Sequence, residues 1–247
     1  LMRTPIVVPE SDVIPGLANR LSFPLARLIC YTFKIEKNTK YHKKSILTGL
    51  PIREGLKKGN VKTGYEMLGL NQEKPVLFVW GGSLGAKSIN DSIIRLLPHL
   101  MQQFQVIHLC GPSKLSLQTE HKKGYYPFEY LETTPLSHLI ACSDLVISRA
   151  GATAIYELLV LQKPHILCPL STRASRGEQI CNARYLEQLG LSIVIDPSQW
   201  SDEVLLETIQ NHYPQLAIRK ARIAQFNLQS GTPKLYEQLL QFRGVIK

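Results

Sequence analysis

The chain has 247 residues, 44% of them hydrophobic, which is ordinary for a folded protein of one large domain or one domain and part of another. Its five cysteines (Cys30, Cys110, Cys142, Cys168 and Cys181) are scattered without a CxxC pair and read as reduced core residues; no apolar run reaches the roughly 18 residues needed to cross a bilayer, and no stretch reads as a signal peptide. A formal charge of +10, from 29 Lys and Arg against 19 Asp and Glu, suits an anionic partner such as a nucleotide-sugar phosphate or a phospholipid surface, whereas nucleic acid is excluded for want of finger spacing, an RNP-type strand or a basic recognition helix.

The chain opens LMRTPIVVPE and enters a predicted strand, Ile6 to Val8, almost at once, so further chain is expected to precede it. A helix is predicted from Pro15 to about Ile29, a short strand at Cys30 to Phe33, a basic stretch from Lys34 to Lys44 and a strand-like run at Ser45 to Leu47. Gly49 to Asn60 has the glycine, proline and charge of a linker, and Arg53 within it would complement a diphosphate. From Lys74 onward, apolar runs at Val76–Trp80, Gln105–Cys110, Glu129–Leu131, Leu145–Ser148, His165–Pro169 and Ser192–Ile195 alternate with helical spacing near Ala86–Gln103, Pro135–Cys142, Ala152–Leu161 and Glu178–Leu189. Repeated βα units imply an α/β fold with a doubly wound parallel sheet, whose ligands sit beyond the carboxyl ends of the strands. Two helical patterns follow Ser201, the last from about Pro214 to Phe242.

The unusual residues fall in the loops where such a sheet binds ligands. In PVLFVWGGSLGAKSIN a buried-type strand breaks into Gly81, Gly82 and Gly85 before a helix, and the free N–H groups and dipole of a helix start receive phosphate well; Ser83 adds a hydroxyl donor. The same glycines also suit a tight turn with no ligand. No Ser or Thr follows a Gly-Lys pair, so this is no Walker A loop, and the strand Gln105 to Cys110 ends without the acid of a dinucleotide site. SRAGATAIYE repeats the pattern, with Gly151 at the turn, Ala152, Thr153 and Ala154 offering N–H groups, and Glu157 able to accept from both hydroxyls of a ribose or to stand as an exposed acid. In PLSTRASRGEQICN, Glu178, Gln179 and Asn182 open a helix and offer amides suited to sugar hydroxyls, or simply cap it. His99, His108 and His165 sit in or beside apolar runs and read as core or surface residues, none with metal-ligand spacing. With no nucleophile elbow and no hydrolytic carboxylate pair, the residues alone indicate a binder of a nucleotide-type ligand.

In this order, ESDVIPGLANRL, LTGLPIR, VWGGSLGAKSIN, VIHLCG, LVISRAGATAIYELL and PLSTRASRGEQICNARYLEQLG resemble the MurG family of glycosyltransferase family 28, bacterial transferases that add N-acetylglucosamine to lipid I, and ESD-x-x-PGLAN is similar to the Gram-positive form. The resemblance implies a two-domain GT-B fold: an acceptor-domain remnant at 1–50, a linker at 51–60, a UDP-sugar domain at 61–225, and a C-terminal helix at 226–247 returning toward the first part. It implies that Gly82, Ser83, Leu84 and Gly85 meet the diphosphate of UDP-N-acetylglucosamine with Arg53 nearby, and that Leu131 presents its backbone to uracil. Gly151 and Ala152 to Ala154 would line the nucleotide, Glu157 would hold the ribose, and Gln179 with Glu178 would read the sugar, with Asn182, Glu10 and Asp12 as further candidates. The reaction implied is inverting, requires no metal or other cofactor, and uses a lipid-linked acceptor at the cytoplasmic face of the membrane, where the protein would be peripheral. The family's GGTGGH-like loop with its candidate catalytic histidine has no counterpart in the 247 residues, and its HESD element reads Pro9, Glu10, Ser11, Asp12. An upstream segment of roughly 100 residues is therefore expected, leaving the catalytic base unassigned. Two alternatives stay open: a donor-binding subunit of a split transferase partnered by the missing half, and a UDP-sugar glycolipid transferase with another acceptor.

Overall fold

A computed structural model describes residues 4–34, 40–82, 85–115 and 122–242. The chain divides into two units, Leu1–Ile52 with Leu228–Lys247, and Arg53–Asn227.

The larger unit is built on a parallel sheet of six strands in the order β6-β5-β4-β7-β8-β9. These are β4 (Val76–Trp80), β5 (Gln105–Leu109), β6 (Tyr125–Phe128), β7 (Leu145–Ser148), β8 (His165–Leu167) and β9 (Ile193–Val194). β4 lies between β5 and β7, with Trp80 opposite Leu109 on one side and Ser148 on the other. Both its faces are covered, which is why VLFVW is apolar without alternation. Leu77 and Val79 pack with Ile89 and Ile93 of α3 (Lys87–Gln103) and with Leu205 and Ile209 of α7 (Asp202–His212). Phe78 and Trp80 belong to the opposite cluster, with Leu136 and Leu139 of α4 (Thr133–Cys142) and Leu158 of α5 (Ala152–Val160). The chain order runs outward from β4 to β6 and then crosses back to β7, so the switch of direction falls at the carboxyl ends of β4 and β7.

Several predicted boundaries move. The strand expected at Glu129–Leu131 is Tyr125–Phe128, an edge strand paired only with β5, where Pro127 gives up no ladder bond that the sheet needs. The expected linker is ordered chain: Glu54–Lys58 forms a 3-10 helix with Leu56 buried, followed by α2 (Val61–Leu68), which is capped by the Asn60 side chain accepting from Thr63 N–H. A side-chain carbon at Gly64 would strike the His138 carbonyl, so α2 packs backbone-close on α4. The single long helix expected at the end is interrupted. α8 (Leu216–Phe226) stops at Asn227 in the left-handed region, φ 48°, before α9 (Thr232–Leu240) starts.

In the smaller unit, β1 (Val7–Glu10), β2 (Leu28–Tyr31) and β3 (Ser45–Leu47) form a parallel sheet in that order, with Val8, Phe23, Ala26, Ile29 and Tyr31 as its core. The helix expected over Pro15–Ile29 is only α1 (Leu17–Ser22), followed by a 3-10 turn at Phe23–Leu25, because Pro24 cannot continue an α-helical ladder. The strand after it accordingly starts two residues earlier than the predicted Cys30. Gly231 N–H donates to Leu50 O at 2.9 Å, tying the start of α9 to the exit of β3.

Candidate functional site

Two glycine turns leave adjacent strands at the switch point. After β4, Gly82 and Gly85 take positive φ, 89° and 68°, and Gly85 N–H donates to Gly82 O at 3.0 Å. The glycines differ in purpose. A side-chain carbon at Gly85 would run into the Cys110 carbonyl and one at Gly81 would crowd the Ala86 N–H, whereas Gly82 faces open space. Ser83 and Leu84, expected at the diphosphate, lie outside the described residues. After β7, Gly151 has an ordinary φ of −70° and also faces open space. No left-handed turn requires a glycine there, and its missing side chain leaves room before α5. Neither N-cap residue, Ala86 of α3 nor Gly151 of α5, supplies a side-chain cap, and neither first turn carries an acid. Two helix starts thus present N–H groups and positive dipole ends on neighbouring strands, an arrangement suited to an anion.

Arg149, quoted in the second motif but given no role by it, adds a fixed cation here. Its guanidinium donates to Cys168 O at 2.9 Å and to Ser88 Oγ in the first turn of α3 at 2.7 Å, bridging β8, β7 and α3. Burial pushes its pKa down from the usual arginine value. Ser148 Oγ, at the end of β7, is buried without a hydrogen-bond partner.

Glu157 stands in the second turn of α5, and Arg53 holds its carboxylate. Arg53 Nε donates to Oε1 at 2.9 Å and Nη2 to Oε2 at 3.1 Å, while the guanidinium carbon lies 5.8 Å from the centroid of the Trp80 ring. The hydrogen bonds that Arg53 donates to Glu157 raise its pKa, with a further contribution from Tyr130. The resemblance implies Arg53 at a diphosphate and Glu157 on a ribose; the structure joins the two in one bidentate pair, with the Trp80 ring beside the guanidinium. Leu131 is buried in the core beside α4, so its side chain is not available to a ligand, while Tyr130 next to it is exposed. Ala152 is buried, Thr153 exposed and Ala154 half-buried at the start of α5.

The helix α6 (Glu178–Gln188) is tied to the same loops. Gln179 Oε1 accepts from Leu170 N–H at 3.2 Å, and fully buried Asn182 donates to Ala150 O at 3.3 Å, bracing the glycine turn from behind. Asn182 therefore supports the turn. Glu178 lies 3.5 Å from Arg176 Nε, but its buried Oε2 has no hydrogen-bond partner. In the smaller unit, Glu10 is committed to its own loop: Oε1 accepts from Asp12 N–H, and Oε2 from Gly16 N–H and the Asn19 amide. These bonds order the loop that follows β1 around Glu10. A cavity of about 400 Å³ lined by Asp144, Lys163, Tyr213 and Lys220 opens at the amino ends of β7 and β8, the end of the sheet away from the glycine turns. Among the described residues no group of three His, Cys, Asp or Glu is placed to hold a metal ion.

Residues 76–239 match the family model described as the glycosyltransferase family 28 C-terminal domain. A UDP-N-acetylglucosamine--N-acetylmuramyl-(pentapeptide) pyrophosphoryl-undecaprenol N-acetylglucosamine transferase of Legionella pneumophila (strain Paris) is 48% identical over 238 residues, 95% of this chain and 65% of that protein. A transferase of the same name from Clostridium botulinum (strain Loch Maree / Type A3) is 39% identical over 98% of this chain and 68% of its own length. The chain thus spans about two thirds of the length of these relatives. The crystal structure of Acinetobacter baumannii MurG superposes with a TM-score of 0.71 at 20% identity, covering 96% of this chain and 67% of that one. The calicheamicin glycosyltransferase CalG4 gives 0.63 at 14% identity, over 90% of this chain and 55% of that one. At these identities the structural likeness speaks to the fold, which is α/β of the GT-B type.

Proposed function

The chain belongs to glycosyltransferase family 28, and from that premise we propose that it carries the donor side of an inverting transferase. In this reading, N-acetylglucosamine passes from UDP-N-acetylglucosamine to the C4 hydroxyl of the muramoyl sugar of an undecaprenyl-linked acceptor, forming the lipid-linked disaccharide of peptidoglycan synthesis. The observation that carries the reading is the pair of uncapped helix starts on β4 and β7, with Gly82 and Gly151 open to the space before them. A UDP leaving group gains negative charge as the glycosidic bond breaks, and preoriented N–H groups at that position lower the barrier without reorganising. Arg149 adds a cation to the same end of the sheet. In this reading the backbone before α4, at Leu131, meets the base, Glu157 the ribose diol, and Gln179 with Glu178 the sugar. The reading gives charge neutralisation to helix ends and arginines and proposes no metal cofactor.

The catalytic base is not assigned to either buried imidazole, since His108 and His165 have both ring nitrogens engaged within the fold. It belongs in this reading to the acceptor side, either in the same polypeptide or in a partner supplying that half. The lipid-linked acceptor places the protein at the cytoplasmic surface of the membrane, and no described helix is long and apolar enough to cross it. Supporting a peripheral contact, Leu17, Leu21 and Leu25 recur every four residues and are 70%, 68% and 73% exposed, next to exposed Arg20 and Arg27. Calorimetry with UDP-N-acetylglucosamine tests the donor assignment: binding is expected, weakened by Gln179→Ala and more strongly by Glu157→Ala.

A further inference from the structure

A second cavity, of about 360 Å³, lies where the helix α8 meets the edge strand β9, and it shares no residue with the glycine turns. Arg219 and Arg222 of α8 line it, with Gly190 before β9, His212 at the end of α7 and Glu187 of α6. Arg219 is half-buried, and its Nη2 donates to His212 Nδ1 at 3.3 Å. Its Nε is buried with no hydrogen-bond partner. Arg222 lies against Gly190, which has φ 68° and where a side-chain carbon would strike the guanidinium. The ion pairs among the described residues include neither arginine, and Glu187 joins none of them. Burial lowers the Arg219 pKa and the neighbouring Arg222 lowers it further, so the two cations repel without a counter-charge.

A buried N–H without an acceptor is costly, and so is a partly buried charge without a partner. The cavity beside Lys163 shows the contrast: there the ammonium donates to Ala141 O and Ser143 O, and its donors are spent within the fold. We propose that the cavity between α8 and β9 is a binding site for a phosphate-type oxyanion, held by Arg219 and Arg222. A carboxylate brings one charge and two oxygens, enough for one planar fork, whereas a phosphate group has the oxygens and charge for two. The guanidiniums are the donors that matter. Ser192, also on the lining, gives its proton to His165 Nε2, because Nδ1–H of that ring is bonded to Lys163 O. His212 receives Arg219 at Nδ1 and thereby orients the fork, leaving Nε of Arg219 for the ligand. Glu187 is exposed at the rim, and its negative charge lowers the affinity of the site for any anion.

The test is a titration of the isotope-labelled 247-residue chain with inorganic phosphate, against sodium chloride of equal ionic strength, following the Arg219 Nε–H and Gly190 amide signals by NMR. Saturable shifts of both are expected, with a midpoint on the order of 1 mM. Each signal reports its own position, so phosphate taken up at the glycine turns is not mistaken for binding here. Arg222→Gln, at an exposed position, is expected to weaken binding about tenfold, and Glu187→Gln to tighten it about two- to threefold, with circular dichroism verifying both folds. Shifts that do not saturate, that chloride reproduces, or that either substitution leaves unmoved overturn the proposal. Co-sedimentation with phosphatidylglycerol vesicles then separates the sources of the oxyanion: a loss in Arg222→Gln assigns a lipid headgroup, and unchanged sedimentation assigns a free phosphate compound.

Discussion

His108 shares its ring nitrogens with the Tyr125 hydroxyl and the Asn90 amide oxygen, both at 3.0 Å, and Asn90 in turn donates to Cys110 O. Because the Asn90 Nδ2 is used by Cys110, Oδ1 accepts, so His108 carries its proton on Nε2 and accepts from Tyr125 at Nδ1. The network fixes the carbonyl against which Gly85 packs, linking a buried imidazole to the shape of the glycine turn. Burial pushes His108 down to about 4 and His165, held by Lys163 O and Ser192, to about 4 as well. The unfolded chain takes up these protons near pH 6.5 and the folded chain near 4, so stability is full above 6.5 and is lost as pH falls toward 4, by at most roughly 3 kcal/mol per histidine. Urea midpoints at pH 7 and pH 5 should show this loss, and His165→Gln should flatten the slope; a slope unchanged by that substitution counts against the assignment. The apolar neighbours of both histidines already pointed to the core in the sequence. The pairing of Arg53 with Glu157 did not show there, because residues 104 positions apart meet only through the order of the strands.

Strands and helices of the β4-to-β9 sheet were legible from composition wherever one element was buried on both faces: β4 and β7 coincide with their apolar runs, and α3, α5 and α6 with their helical spacing. Misplacements fall where a proline or a single backbone angle decides, as at Pro127 in β6, Pro24 after α1 and Asn227 between α8 and α9. Glycine content also located both turns but not the purpose of each glycine. Gly85→Ala places a side chain at φ 68° against the Cys110 carbonyl and should cost about 1–3 kcal/mol in thermal or urea unfolding. Gly151→Ala adds a methyl group in open space at φ −70°, so stability should change by less than about 1 kcal/mol while UDP affinity falls. Equal loss of stability in the two variants would show that Gly151 is a packing glycine and not a ligand-facing one.

For the whole molecule, the proposed peripheral membrane contact needs a place where the +10 charge meets apolar surface. Leu17, Leu21 and Leu25 with Arg20 and Arg27 supply one, and nothing in the hydropathy of the chain had singled out α1. Leu21→Asp should reduce co-sedimentation with anionic phospholipid vesicles about tenfold while leaving UDP binding intact; vesicle binding unaffected by the substitution would place the membrane contact elsewhere. The central claim, that the turns after β4 and β7 hold a nucleotide-sugar diphosphate with Glu157 on its ribose, is tested most directly by calorimetric titration of the folded chain with UDP-N-acetylglucosamine. The account predicts saturable binding that weakens at least about tenfold in Glu157→Ala; no binding by the folded chain, or equal affinity in the variant, would contradict it.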